Sequence, residues 1–279
     1  MANSIYETHI MREELLPFIY HKHTARNFNR NGIGLPNWHE NIELLLCVDG
    51  KGKVKCDTKF YDFDIGDVVV VNSNTLHTII SETYVIYHCL IIDRSFLEEN
   101  GIPINSLRFT EHIKDTEVTE RFTAAVESLE LRNNETGFWL PSYIRSFVLQ
   151  LMVSLCKKYV AGSANNSDLR TISCERVKKV MLYIHDNLSK QLTLDEIAEH
   201  IGISKYHLSR EFKDWTGKTI FDSINILKCK EAQEMLLNGA RVSETATACG
   251  FESLSYFSRT FKKHMGILPS ECLKTNKKD

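Results

Sequence analysis

From Gly250 to Glu271 the chain reads GFESLSYFSRTFKKHMGILPSE, and from Gly202 to Gly217 it reads GISKYHLSREFKDWTG. The second of these is an earlier copy of the first. Ser209-Arg210-x-Phe212-Lys213 aligns with Ser258-Arg259-x-Phe261-Lys262, and Gly217 with Gly266, all at an offset of 49 residues. Upstream, Leu194-x-x-x-Ala198-x-x-x-Gly202 aligns with Val242-x-x-x-Ala246-x-x-x-Gly250 at an offset of 48. The later copy therefore carries one more residue in its turn. Each copy predicts a short helix, a turn containing glycine, and a second helix.

The residue types fit a helix-turn-helix. Ala198 and Ala246 are small where two helices must cross closely. Gly202 and Gly250 follow a helix, where a positive φ is needed. Thr193 and Ser243 stand where they can cap or flank the first helices. In the second helices, Leu208 with Phe212 and Phe257 with Phe261 are four apart and face a core. The opposite stripe carries Tyr206, Arg210 and Lys213, repeated as Ser255, Arg259 and Lys262 at i, i+4, i+7. An arginine there can fork onto guanine O6 and N7, and a lysine can neutralise a phosphate. Lys205 and Ser209 join the same surface. Between the copies, Thr219 to Asn238 reads as one helix of roughly 30 Å. Successive major-groove faces lie about 34 Å apart along B-DNA. The duplication thus implies a protein that reads DNA twice.

The remaining composition is ordinary. The chain has 279 residues, 43% hydrophobic and 25% charged, which excludes a disordered chain. No apolar run approaches the roughly 18 residues of a membrane helix. The N-terminus lacks a basic start and apolar stretch, so no signal peptide is read. The eight cysteines are widely spaced, giving neither a zinc motif nor a disulfide framework, and a reducing cytoplasm is expected. Net charge is -6 over residues 1–169 and +4 over 170–279. A basic module that meets phosphates, carried by an acidic one, accounts for the split.

Residues 1–100 predict β structure. The runs Ile42–Val48, Val68–Val71 and Tyr84–Ile92 are separated by turn signals at Val48-Asp-Gly-Lys-Gly52 and Asp64-Ile-Gly-Asp67. Two helices follow. One presents Val118, Phe122, Val126 and Leu129. The other, from Pro141 to Val160, presents Ile144, Phe147, Val148, Leu151, Met152, Leu155 and Tyr159. The apolar face of the latter could simply cover the β structure; it is also wide enough to meet a second copy of the chain, and a homodimer is expected. AGSANNSD, residues 161–168, reads as a linker.

The segments LTLDEIAEHIGISKYHLSREFKDWTGKTIFDSIN and VSETATACGFESLSYFSRTFKKHMGILPSE closely resemble the AraC/XylS family of bacterial transcription regulators over residues 174–273. The resemblance implies two helix-turn-helix units joined by a helix, with base-reading positions on Tyr206, Ser209, Arg210, Ser255 and Arg259. The chain departs from the family at Leu268 and Cys272, where a small residue and an aromatic are usual. The N-terminal part resembles the family's common partner, a cupin-like β-barrel. The pieces that carry this are Trp38-His39-Glu40-Asn41-Ile42-Glu43-Leu44-Leu45 and Gly66-Asp67-Val68-Val69-Val70-Val71 followed by His77.

The expected fold class is α+β. Residues 1–160 form an effector-sensing and dimerisation barrel with two helices, 161–170 a linker, and 171–279 an all-α double helix-turn-helix domain. Strand alternation puts His39, Asn41, Glu43 and Leu45 on one face. Trp38, His39, Glu43 and His77 are the candidate effector-binding residues. An aromatic face with carboxylate acceptors suits a sugar, and many members of the family it resembles answer to sugars. His39, Glu43 and His77 also count as three possible metal ligands. Asn41 stands where metal-binding cupins carry a second histidine, so no metal, cofactor or catalytic residue is assigned. The expected function is a cytoplasmic, DNA-binding activator that responds to a small molecule and recruits RNA polymerase. The competing reading is a cupin metalloenzyme, an isomerase or dioxygenase, attached to a DNA-binding module.

Overall fold

The computed structural model describes residues 15–26, 35–163 and 169–275. Two compact units divide the described residues, one made of 15–26 and 37–163 and the other including 169–275.

The first unit contains β1 (Phe18–Arg26), β2 (Ile42–Cys56), β3 (Lys59–Asp64), β4 (Val68–Val71), β5 (His77–Ile80), β6 (Tyr84–Ile92), α1 (Arg94–Glu99), β7 (Leu107–Phe109), β8 (His112–Ile113), α2 (Thr116–Glu130), α3 (Leu140–Lys158) and β9 (Val160–Ser163). One sheet runs β1-β6-β2-β4-β8, and the far half of β2 pairs with β3 and β5. The expected turn at residues 48–52 is not a turn. It is a bulge inside β2, with a register shift between Cys47 and Asp49, and it carries the strand from one sheet into the other. The two glycines serve that crossing. A Cβ on Gly52 would lie 2.7 Å from the Ile80 carbonyl oxygen, and one on Gly50, at φ +73°, would strike that of Tyr84.

The run IELLLCV is buried as far as Cys47, and apolar but for Glu43, because both faces of β2 are covered. Leu44 and Leu46 pack with Val68, Leu90, Phe122, Val126, Ile144, Val148 and Leu151 between the sheet and helices α2 and α3. Leu45 and Cys47 face the other way, with Val54, Phe63, Val69, Tyr87 and Cys89 inside the barrel. The helix expected to end at Val160 ends at Lys158. Val160–Ser163 then pairs with β7, which takes the first unit's structure past its expected end at 160 and into the expected linker. Residues 164–168 of that linker lie outside the described residues.

The second unit is helical: α4 (Leu169–Asp186), α5 (Leu194–Ile201), α6 (Lys205–Thr216), α7 (Ile220–Leu237), α8 (Val242–Ala248), α9 (Leu254–Met265) and α10 (Pro269–Thr275). Helix α4 covers α5 and α6 and buries Val177, Val180, Met181 and Ile184 at helical spacing. Cys229, Ala232 and Leu236 of α7 meet Ala246, Phe251, Phe257, Phe261 and Cys272 in one core. Cys272, the departure from the family pattern, is fully packed there. No helix among the described residues is long and apolar enough to cross a membrane.

Candidate nucleic-acid interface and effector cluster

Each first helix starts differently. Thr193 accepts from the Glu196 backbone N–H while the Glu196 carboxylate accepts from that of Thr193, a reciprocal cap on α5. Ser243 makes no such cap: Arg241 is the capping residue of α8 and Ser243 lies inside the first turn. The turns begin at or just after the end of the first helix with Gly202 at φ +77° and Gly250 at φ +68°, as a left-handed turn requires. Helices α6 and α9 are then capped alike, by Ser204 and Ser253.

Leu208, Phe212, Phe257 and Phe261 are wholly buried, which fixes the rotation of both helices. The opposite faces are open. Tyr206 is 81% exposed and the Arg210 side chain 86%. Lys213, Ser255, Arg259 and Lys262 are exposed, and Ser209 is half-buried. Arg210 reaches only Asp214 at 4.0 Å, and Arg259 leans on the Ser255 carbonyl at 3.4 Å. These are weak surface contacts that a base edge can replace. Lys205 is paired with Asp195 at 2.9 Å, so a phosphate must compete for it.

Sequence reasoning missed the braces behind these faces. Arg176 on α4 donates through Nε to Glu211 Oε2 at 2.9 Å and through a second nitrogen to Oε1. Trp215 Nε1 donates to Ser173 Oγ at 2.8 Å, again from α6 to α4. In the other copy, the buried Lys228 of α7 donates to the Gly250 carbonyl. Glu211 and Lys228 sit on inward faces where the sequence pattern offers only a charge among apolar residues.

In the barrel, the structure brings three of the four expected effector residues together. His39 Nε2 lies 2.9 Å and His77 Nε2 3.0 Å from the same atom, Glu43 Oε2. The three residues are 2%, 3% and 5% exposed for His39, His77 and Glu43. Cys89 Sγ donates to Glu43 Oε1 at 3.0 Å, a partner that alternation along β6 alone does not announce. Burial alone would raise the Glu43 carboxyl. The imidazoles of His77 and His39 more than offset this and hold it well below the usual carboxylate range. Asn41 turns to another task, accepting the Arg94 backbone N–H at 3.0 Å. Trp38 is buried at 4% exposure, so its ring is a core side chain and not a surface platform.

The fold is a β domain followed by two helix-turn-helix units. The helix-turn-helix domain family matches residues 197–275, and the AraC-like ligand binding domain family matches residues 24–138. The multiple antibiotic resistance protein MarA of Escherichia coli (strain K12) is 34% identical over 115 residues, 41% of this chain and 87% of that protein. The transcriptional activator AarP of Providencia stuartii is 33% identical over 95 residues, 34% of this chain and 70% of that protein. The xylose operon regulatory protein of E. coli (strain K12) is 31% identical over 107 residues, 38% of this chain but 27% of its own length. The chain belongs to the AraC/XylS family of transcription regulators.

Proposed function

We propose that this protein is a sequence-specific transcription activator in which α6 and α9 each enter a segment of major groove. The observation that carries the reading is the repetition of the exposed stripe, Tyr206-Arg210-Lys213 and Ser255-Arg259-Lys262, on two helices whose buried faces also match. Arg210 and Arg259 read base edges, aided by Tyr206, Ser209 and Ser255. Lys205, Lys213 and Lys262 hold phosphates. The β domain receives a small-molecule signal through the His39, Glu43 and His77 cluster, with Trp38 packed beside it in sequence. The xylose operon regulator among the relatives keeps a sugar as one candidate class for that signal.

Two copies of the chain pair through α3. Beyond its buried stripe this helix leaves Trp139, Tyr143 and Val153 exposed, with Phe138 just before it at 99% exposure. Trp139, Tyr143 and Phe147 already contact one another edge to face, which makes a continuous aromatic strip. A pair of chains presents four reading helices, and RNA polymerase is the partner of the DNA-bound form in the cytoplasm. The relatives named as an operon regulator and a transcriptional activator support a regulator over an enzyme. Footprinting on DNA from the gene's own locus tests the reading. Protection of two adjacent major-groove segments on one face supports it, and loss of protection limited to one segment in Arg210→Ala or Arg259→Ala assigns the helices.

A further inference from the structure

The buried cluster in the barrel brings two imidazole nitrogens onto one carboxylate oxygen. His39 Nδ1 lies 2.9 Å from the Asn41 carbonyl oxygen, and His77 Nδ1 lies 3.1 Å from that of Thr75. A carbonyl only accepts, so each ring carries a proton on Nδ1; Nε2 then either donates to Glu43 from a doubly protonated ring or, in the neutral ring, presents a lone pair. Both Nε2 atoms point at one oxygen of Glu43. Two nitrogens and an oxygen thus converge within 4.8 Å of one another, all buried. A metal cation can take the place of the two Nε2 protons and bind all three atoms.

We infer that His39, Glu43 and His77 hold one divalent first-row transition-metal ion per chain, through the two Nε2 atoms and Oε2. The fastening of each Nδ1 to a backbone carbonyl is the outer arrangement that orients metal-binding imidazoles. The Cys89 thiol holds Oε1, which leaves Oε2 to face the ion. Bonds of about 2.1 Å at right angles separate ligand atoms by about 3.0 Å, which the two nitrogen–oxygen pairs match at 2.9 and 3.0 Å, while the two nitrogens lie within 4.8 Å of each other. Two imidazoles with one carboxylate select iron, cobalt, nickel or zinc over calcium and magnesium, which favour oxygen donors throughout. Three protein ligands leave positions open for water or a chelating signal molecule. The ion would tie the entry of β2 to the start of β5, and the inference stands apart from the DNA-reading proposal.

The test is cobalt(II) titration of full-length, tag-free protein stripped with chelator. One equivalent is expected per chain, with visible d–d absorption and a raised melting temperature. Glu43→Gln and His77→Gln are expected to weaken binding at least about 100-fold, beyond the loss typical of an outer partner, while His23→Gln on the surface has no effect. Should the cluster variants fail to fold, X-ray absorption of the wild-type cobalt protein decides. Two imidazoles around the ion support the site, and a shell of oxygens alone overturns it. Absence of stoichiometric uptake, or uptake unchanged in both folded variants, also overturns it. A wild type that binds operator DNA yet takes up no cobalt removes the ion and leaves the regulator reading intact.

Discussion

The Nζ of Lys228 lies 2.8 Å from the carbonyl oxygen of Gly250, so a buried ammonium on α7 closes the turn of the second reading unit. Gln191 donates to the same oxygen at 3.2 Å. Gly250 is therefore clasped by two other segments, whereas its counterpart Gly202 is open to solvent.

That difference separates two substitutions that the sequence makes equivalent. A Cβ on Gly250 would lie 2.6 Å from the Ser189 carbonyl oxygen, while one on Gly202 meets nothing within 4 Å. Both positions have positive φ, so Gly202→Ala is expected to cost about 1–2 kcal/mol. Gly250→Ala adds a backbone clash and is expected to cost at least twice as much. Urea unfolding of the two variants measures this, and equal midpoints refute the asymmetry.

Arg176 and Glu211 should give the helical unit an acid-sensitive brace. Burial raises the Glu211 carboxyl, but the Arg176 guanidinium and Ser173 more than offset this and hold it below its usual range. A depressed carboxylate contributes stability above its unfolded pKa of about 4.3, and that contribution is lost as pH falls through the lower folded value. Arg176→Met is expected to cost about 3 kcal/mol at pH 7. The gap between variant and wild type should close below about pH 4. Thermal melts between pH 3 and pH 7 would show it.

DNA readout divides by residue type. Arg210→Ala and Arg259→Ala are each expected to cost about 1–3 kcal/mol in operator binding and relax preference at one or two base pairs. Lys213→Ala and Lys262→Ala should weaken all sequences alike and lower the salt slope by about one. Phe261→Ala, by contrast, empties a buried site and should destabilise the fold by about 3–5 kcal/mol. Affinity on randomised operators, with melting curves beside it, separates the three classes.

The pairing surface is tested in the full chain by Tyr143→Glu and Val153→Glu. Both side chains are exposed on α3, so neither change should unfold the protein. Each is expected to shift sedimentation from dimer to monomer, and residues 1–165 alone should dimerise while 170–279 stay monomeric. A monomeric wild type at tens of micromolar would end the proposal.

The helical unit was legible because its constraints are local and written twice. Thr193, Gly202, Leu208 and Phe212 each state a cap, a turn or a face within one or two turns of helix. Strands Ile42–Val48, Val68–Val71 and Tyr84–Ile92 were legible as apolar runs, since both of their faces are covered. The β bulge was not, because Gly50 and Gly52 look like a turn until Tyr84 and Ile80 are known to cross them. His39 and Glu43 could be placed together by alternation, and His77 from 34 residues further on by resemblance. Cys89 on Glu43, Arg176 on Glu211 and Lys228 on Gly250 depend on which elements meet in space, and no periodicity carries that information.

Helix α7 buries Ile220, Ile224, Leu227, Cys229, Ala232 and Leu236 on several sides, so it is held by both of the units it joins. Its 18 residues act as a ruler of about 27 Å with a fixed angular phase. The DNA word it accepts is consequently composite: two short syllables with an unvarying gap. Inserting one base pair into that gap turns the second syllable away from α9, so genomic targets should be sought with fixed spacing and free letters between.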